Sequence, residues 1–566
     1  MLKTSRSWPP VGAAIVALAA GAFVFWQNTR VAVLWDLGYL LDTAWRITLG
    51  QMPYRDFPFA HAPLTFLTQA VLIHFFGRAY IATILYAAAA GGLGVWLSWL
   101  ILRRIAANQW LALALTAPLV FLNTQAVYPH PIYDTDCVLA VLFALWLLAR
   151  MAERENAGWI EGAIAGASAT LPIFYKQNIG LAFAFTVGVA ALVLSARAKE
   201  RKKALGILIG MIAALLVAVA ILGATCGAGN YFHWTVEFAA ARRMPGLASI
   251  AAIYQTPLLY WGLPVALVGW VLLRTRLSKL IGRGLLAAPF LWSLWLVLAS
   301  EDAADKTDAF LALWPLVLVL AALVALAELR RGLTLQRFVP FFILAAIHGA
   351  FMSQQLWGST YALWPLLMLL VAVAIGALPA AARWAGAALT AAVSMVFLTC
   401  GCVYSTSLER LSYIDMPEGS PPVRSTLPAL HGMATPGDYL GNFEGMVAWT
   451  DQNIPQGEAL LMMPGEDPFY YATGRVPLFP VTMMDPATDP YTAGELMAAA
   501  RRRGVRWVIV KTSLQSRENP MPEHDATMRI LEREFRVVKE LRGYEVWERV
   551  NGDCKEASDC VISFAL

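Results

Sequence analysis

About thirteen apolar stretches near membrane-spanning length, roughly 17–25 residues, follow one another along the first 405 residues of this 566-residue chain. They run at about 11–26, 80–102, 110–127, 137–152, 158–175, 179–196, 204–227, 256–273, 285–300, 309–329, 338–352, 362–378 and 387–404. Inside lipid every backbone N–H and C=O must be satisfied within the segment, so a series of this kind folds as a bundle of helices. The chain is 58% hydrophobic and only 14% charged, whereas a soluble domain carries roughly a quarter charged residues. The stretch 64–76 is too short to span and reads as an interfacial helix. A net charge of +5 is modest and says little by itself; no nucleic-acid partner is expected.

The start is basic, with Lys3 and Arg6. No convincing small-residue cleavage site follows, so the first apolar run reads as a retained span, with a cleaved signal peptide as the alternative. Counting from there, alternate loops carry Arg103-Arg104, Arg150 with Arg154, Arg197 through Lys203, Arg274 through Arg283, Arg330-Arg331 with Arg337, and Arg383. Cations are held on the cytoplasmic side of short loops. That places the N-terminus in the cytoplasm and the chain after the last span outside. The expected protein is a multi-pass membrane protein with its C-terminal part extracytoplasmic.

From about residue 405 the composition changes. The expected organisation is a transmembrane module at 1–405, with interfacial helices in its first outer loop (about 31–79), a linker at 406–436 rich in Pro, Ser, Gly and Thr, and an extracytoplasmic domain at 437–566. In that domain 459–463 and 505–511 read as strands and 492–503 and 525–535 as helices. Residues 536–541 and 544–549 read as a hairpin about Arg542-Gly543. Alternation of this kind predicts a small α/β domain. It shows no Gly-rich phosphate loop, no Ser/His/Asp set and no metal cluster, and is expected to cap the outer face without chemistry of its own. Cys137, Cys226, Cys400 and Cys402 read as small packing residues. Cys554 and Cys560 are placed to close a small disulfide loop in an oxidising compartment.

Polar chemistry gathers on the outer face. Asp36 follows the first span directly, and an acid at the bilayer boundary is costly enough to suggest a task. Leu34, Leu37, Leu41, Ala44 and Trp45 recur at helical spacing, which predicts an amphipathic helix over 31–50. Asp42 and Arg46 stand four apart on it and can pair. Asp36 finds Leu40 at that spacing and reads either as a base or as a cap favoured by the helix dipole. A second outer loop carries Asp134 and Asp136 at the mouth of a span. One reads as a helix cap, and the acids of the two loops, lying on one face, as groups that converge on a cation or on sugar hydroxyls. Lys176 lies in a tight outer turn where it needs an anion, either a lipid phosphate or a substrate. Arg242 and Arg243 break the scarcity of outward cations. His61 reads as loop packing.

The run Asp36-Leu37-Gly38-Tyr39, then Gly50, Pro53-Tyr54-Arg55-Asp56-Phe57 and His61-Ala62-Pro63-Leu64, resembles the first outer loop of GT-C glycosyltransferases. Within them it looks most like the bacterial branch related to protein O-mannosyltransferases and lipid A aminoarabinose transferase (glycosyltransferase family 39-like). Leu171-Pro172-Ile173-Phe174-Tyr175-Lys176-Gln177-Asn178 resembles that branch's later turn. Many relatives have Asp-Glu at the first position, whereas Leu37 follows Asp36 here, so any second acid comes from elsewhere, such as Asp134 or Asp136. The resemblance implies an inverting transferase that moves a hexosyl or pentosyl group from a polyprenyl-phosphate donor to a lipid, glycan or protein acceptor.

On that resemblance Asp36 is the general base. Lys176 and Arg242 or Arg243 meet the donor phosphate. Asp134, Asp136, Tyr54, Arg55, Asp56, His61 and Gln177 complete the candidate substrate-binding set. No metal or other cofactor is indicated. Membrane lipids are partners, with an apolar groove for the isoprenoid tail. The competing readings are a transporter or flippase, which would show repeats and ionisable residues at the midplane of spans, and a non-catalytic envelope-assembly protein.

Overall fold

The computed structural model describes residues 8–106, 108–243, 247–273, 279–353, 360–378, 383–417, 419–485, 489–517 and 522–550, without the side chains of 242, 243, 247, 249, 383–385 and 522–525. Lys3, Arg6, Cys554 and Cys560 lie outside the described residues. The chain packs as two units. One comprises Met1–Asn28, His61–Thr65 and Thr83–Ser412; the other comprises Thr29–Ala60, Phe66–Ala82 and Tyr413–Leu566.

The first unit is helical. Every apolar stretch expected to span carries a helix, and eight described helices are long and apolar enough to cross a membrane: Trp8–Asn28, Tyr80–Ile105, Tyr133–Ala152, Gln177–Ser195, Arg201–Thr225, Lys279–Ala299, Ala303–Leu329 and Gly386–Thr406. The others are shorter, and proline explains part of this. Gln109–Thr116 tightens into a 3-10 turn containing Pro118, and Trp159–Thr170 does so at Pro172, where the ring removes a backbone donor.

Trp159–Thr170 and Arg201–Thr225 meet through four glycines. A Cβ on Gly166 would stand 2.0 Å from the Ile207 carbonyl oxygen, and one on Gly210 the same distance from that of Ala163. At Gly162 and Gly206 the corresponding gaps to Lys203 and Trp159 are 2.4 and 2.2 Å. Each helix thus presents two glycines four apart, the spacing that lets backbones touch where lipid offers no hydrophobic drive to pair. Cys137, Cys226, Cys400 and Cys402 are free thiols.

The second unit joins the amphipathic helix Leu34–Thr48 to an α/β domain. Leu34, Leu37, Leu40, Leu41 and Ala44 form its buried stripe. Strands β1 (Pro422–Arg424) and β2 (Ala434–Pro436) pair antiparallel. Strands β3 (Leu460–Met463), β4 (Trp507–Lys511), β5 (Phe535–Leu541) and β6 (Tyr544–Arg549) form a sheet in the order β3-β4-β6-β5, parallel between β3 and β4 and antiparallel elsewhere. Helices Ala493–Arg502 and Pro522–Glu534 accompany it, and Leu461, Met463, Leu496, Val508, Phe535 and Trp547 fill its core.

Among its described residues the segment 406–436, expected as a linker, holds the strands β1 and β2. Its strands pair, and Glu444 accepts from Ser425 Oγ and the Thr426 N–H, both at 2.7 Å. Composition signalled turns here; the partner that orders them lies outside the segment.

Gly210→Val should push the two glycine-lined helices apart and destabilise the protein by about 1–3 kcal/mol, the usual cost of overpacking. Thermal melts of the solubilised chain check this, with Gly223→Val, where a Cβ meets nothing within 4 Å, as the silent comparison.

Candidate active site

Asp36 sits half-buried in the first turn of the helix Leu34–Thr48, and the Tyr413 hydroxyl donates to its Oδ2 at 3.0 Å. The start of this helix is held by another residue. Gln515, fully buried, accepts the Leu34 N–H on Oε1 at 2.8 Å; its Nε2 donates to the Ala32 carbonyl at 3.1 Å and to Thr435 Oγ1 at 3.0 Å. It thus receives one of the orphan donors of a helix N-terminus.

Gln515 is itself anchored. Its backbone N–H donates to Glu466 Oε2 at 3.0 Å, and the Ser516 N–H to Glu466 Oε1 at 2.7 Å. Lys511 pairs with Glu466 and, at 2.8 Å, with Asp467 Oδ1, whose Oδ2 accepts from Tyr544 OH at 2.7 Å. All four side chains are buried. Burial acts to lower the Lys511 ammonium, but the two carboxylates outweigh it and its pKa is raised. Burial pushes Asp467 up, opposed by Lys511. The backbone here lies against the Asp36 helix, for a Cβ on Gly38 would stand 2.5 Å from the Glu466 carbonyl oxygen.

Tyr413, Gln515, Glu466 and Lys511 were not singled out from sequence. The available signals were the adjacent acids Glu466-Asp467 between Gly465 and Pro468, and a lysine ending an apolar strand.

Asp42 does not rely on Arg46 as expected. It accepts the Tyr471 N–H at 2.7 Å, while Arg46 donates to Gln51 Oε1 at 2.7 Å and the Pro480 carbonyl at 3.0 Å, its guanidinium 4.1 Å from the Phe57 ring centroid. The turn Tyr54-Arg55-Asp56-Phe57 is held internally. Tyr54 takes φ +69° and donates its N–H to the Phe57 carbonyl at 3.0 Å. Arg55 pairs with Asp56 at 2.9 Å, and this hydrogen bond holds the Asp56 carboxyl below its usual range.

The other candidates belong to the first unit. Helix Tyr133–Ala152 begins with Thr135 Oγ1 accepting the Ile132 N–H at 3.1 Å, so the capping expected of Asp134 or Asp136 is done by the residue between them. Asp134 pairs with Lys176, both buried. Lys176 lies 5.1 Å from the ring centroid of Tyr133, on which His61 stacks at 4.5 Å. Asp136 accepts from Thr65 Oγ1 at 2.8 Å and Tyr86 OH at 2.9 Å. Gln177 Nε2 reaches the Thr235 carbonyl at 3.5 Å. Arg242 and Arg243 end the helix Ala239–Arg243, with side chains outside the described residues. Among the described residues no group of three or more His, Cys, Asp or Glu is placed to hold a metal ion.

No protein-family model matches the sequence, and no curated protein matches it. Solved structures do match. The oligosaccharyltransferase AglB from Archaeoglobus fulgidus, in complex with an inhibitory peptide and a dolichol-phosphate, aligns over 89% of this chain and 69% of its own at 11% identity and a TM-score of 0.52. The A. fulgidus oligosaccharyltransferase complexed with Zn and sulfate aligns over 89% and 68% at 12% identity and 0.50. ArnT from Cupriavidus metallidurans bound to undecaprenyl phosphate aligns over 97% and 99% at 12% identity, with a TM-score of 0.48.

The fold is a GT-C fold. In this chain the acid after the first span is aimed by a phenol and carried on a helix whose start is tied down. A carboxylate so held can accept a proton without first reorganising. Lys176, by contrast, is already neutralised by Asp134.

Removing one partner from a buried pair leaves an uncompensated charge and costs about 3–5 kcal/mol. Lys176→Met should therefore destabilise strongly, and the double variant Asp134→Asn/Lys176→Met should recover most of the loss. Thermal melts decide; additive losses would show that the pair is not the relevant unit.

Burial pushes the Asp42 carboxyl up to about 8, opposed by the Tyr471 and Tyr470 backbone N–H groups. The folded state keeps this proton to higher pH than the unfolded chain. Stability contributed here is therefore lost as pH rises from 3.8 to about 8. Asp42→Asn should flatten this slope in melts across that window. An unchanged slope would show that Asp42 does not titrate there.

Proposed function

We propose that the chain is an inverting glycosyltransferase of a bacterial inner membrane, transferring a sugar from a polyprenyl-phosphate donor to an envelope acceptor on the outer face. The observation that carries this reading is Asp36: a half-buried acid, hydrogen-bonded to Tyr413, on an anchored amphipathic helix directly after the first span of a GT-C fold. The AglB structure was solved with a dolichol-phosphate, which supports a lipid-phosphate donor. The loop charges support an N-terminus in the cytoplasm and a C-terminal domain outside.

In the proposed step an acceptor hydroxyl oxygen attacks the anomeric carbon opposite the phosphate. The new C–O bond forms as the bond to the phosphate oxygen breaks. The hydroxyl proton passes to Asp36, and the electron pair leaves with the polyprenyl phosphate. Proton transfer late in the step suits a carboxylate, which is a weak base toward an alcohol. Negative charge grows on the leaving phosphate and needs a cation. Because Lys176 is paired with Asp134, we assign that cation to Arg242 or Arg243. Asp134, Asp136, Tyr54, Arg55, Asp56, His61 and Gln177 remain candidates for holding substrate. The step as written uses no metal.

Offering labelled undecaprenyl-phosphate-linked mannose, glucose and aminoarabinose to membranes, with mass spectrometry of the product, tests donor and acceptor together. Asp36→Asn should insert and fold normally yet lose about 10²–10⁴-fold in turnover, the usual contribution of a positioned acid–base group. Near-normal turnover would sink the assignment.

A further inference from the structure

We propose that Tyr413 and Gln515 are positioning residues for Asp36, so that the C-terminal domain sets the geometry of the base. This rests on the reading of Asp36 as general base. Asp36 has two degrees of freedom that matter: the direction of its helix and the rotation of its carboxylate. The C-terminal segment addresses both.

Gln515 bonds to the chain on both sides of the helix start, accepting from Leu34 N–H and donating to Ala32 C=O. A side-chain amide is well suited to this, because one planar group offers an acceptor and donors at fixed angles. A glutamate at this place would lose both donors, and a lysine the acceptor. The amide is in turn located by Thr435 and, through its own backbone N–H, by the buried Glu466 that Lys511 holds. Tyr413 then fixes the carboxylate by donating to Oδ2. The Tyr413 carbonyl accepts the Arg517 N–H at 2.8 Å, and the Gln515 carbonyl accepts the Asp415 N–H at 2.6 Å. Segments 413–415 and 515–517 are thereby tied together, and both positioning residues move as one body.

A displacement of about 1 Å at a reacting group can cost on the order of 10²-fold in rate. Tyr413→Phe keeps the ring and removes only the hydroxyl. In the full-length protein it should lower kcat by about ten- to a hundredfold while the Kd for undecaprenyl phosphate and the donor KM stay within about twofold, the pattern of an interaction used in the transition state. In an Asp36→Asn background the same substitution should cost nothing further, since both changes act through one carboxylate.

Gln515→Met keeps the length and removes the three polar contacts. Hydrogen exchange in the 32–40 segment should then accelerate by about tenfold, the loss expected from one helix-start hydrogen bond, with the sheet of β3 to β6 unchanged. The proposal is overturned by normal kcat in Tyr413→Phe, by a change confined to KM, by an undiminished Tyr413→Phe loss in the Asp36→Asn background, or by Gln515→Met exchange that is unchanged at 32–40 or spreads through the sheet. Near-normal turnover in Asp36→Asn would overturn the catalytic reading instead. The exchange measurement does not depend on activity, so the two failures are distinguishable.

Discussion

A charge taken out of water is tolerated only where a partner meets it, and in the second unit that requirement propagates outward from Lys511. The ammonium is enclosed with Glu466 and Asp467. Two carboxylates and one cation leave acceptor capacity unspent, and it goes to Tyr544 OH and to the Gln515 and Ser516 N–H groups. Gln515 is fixed as a consequence, and with it the start of the helix that bears Asp36. The sheet therefore bears on the candidate base through a chain of hydrogen bonds. Replacing Lys511 by an apolar residue would leave two buried acids facing each other, and the damage would travel along the same chain.

This order of dependence bears on the division of labour expected of the C-terminal domain. From sequence it is an outward cap, because residues 437–566 show no clustered nucleophile, base or ligand set. Yet the helix Leu34–Thr48 buries its apolar stripe in the same unit as residues 413–550, and Asp42 receives the Tyr471 N–H there. The first loop and the distant tail form one folded body. A chain cut before residue 413 would take the Tyr471 N–H from Asp42 and the Pro480 carbonyl from Arg46 together.

The local elements were legible because their signals are local. Apolar runs gave the helices, period-3.6 spacing gave Leu34–Thr48, and Arg542-Gly543 between alternating residues gave the hairpin of β5 and β6, with Gly543 at φ +76°. The site was legible only in part. Asp36 stands out through its place after a span, whereas Gln515 is 481 positions away from the Leu34 N–H it receives and resembles any other loop glutamine. The pattern at 50–64 stands out for a different reason. Within it Tyr54 bonds to Phe57 and Arg55 to Asp56, so that part of the spacing reports a turn as much as a binding surface.

Lys176 shows where a correct physical premise led to an incomplete assignment. A cation in a short turn at the hydrocarbon boundary does need an anion, and the sequence also showed acids at the mouth of another span. The anion it meets is one of those acids, Asp134, 42 residues earlier. A closed pair carries no net charge, and its field at a distance is that of a dipole, which falls off faster than that of a free ammonium. Such a pair can order the ends of two helices and orient Tyr133, over which Lys176 lies. Neutralising a departing phosphate calls for a cation whose charge is not already spent on a buried carboxylate. In the proposed step that demand falls to the arginines of Ala239–Arg243.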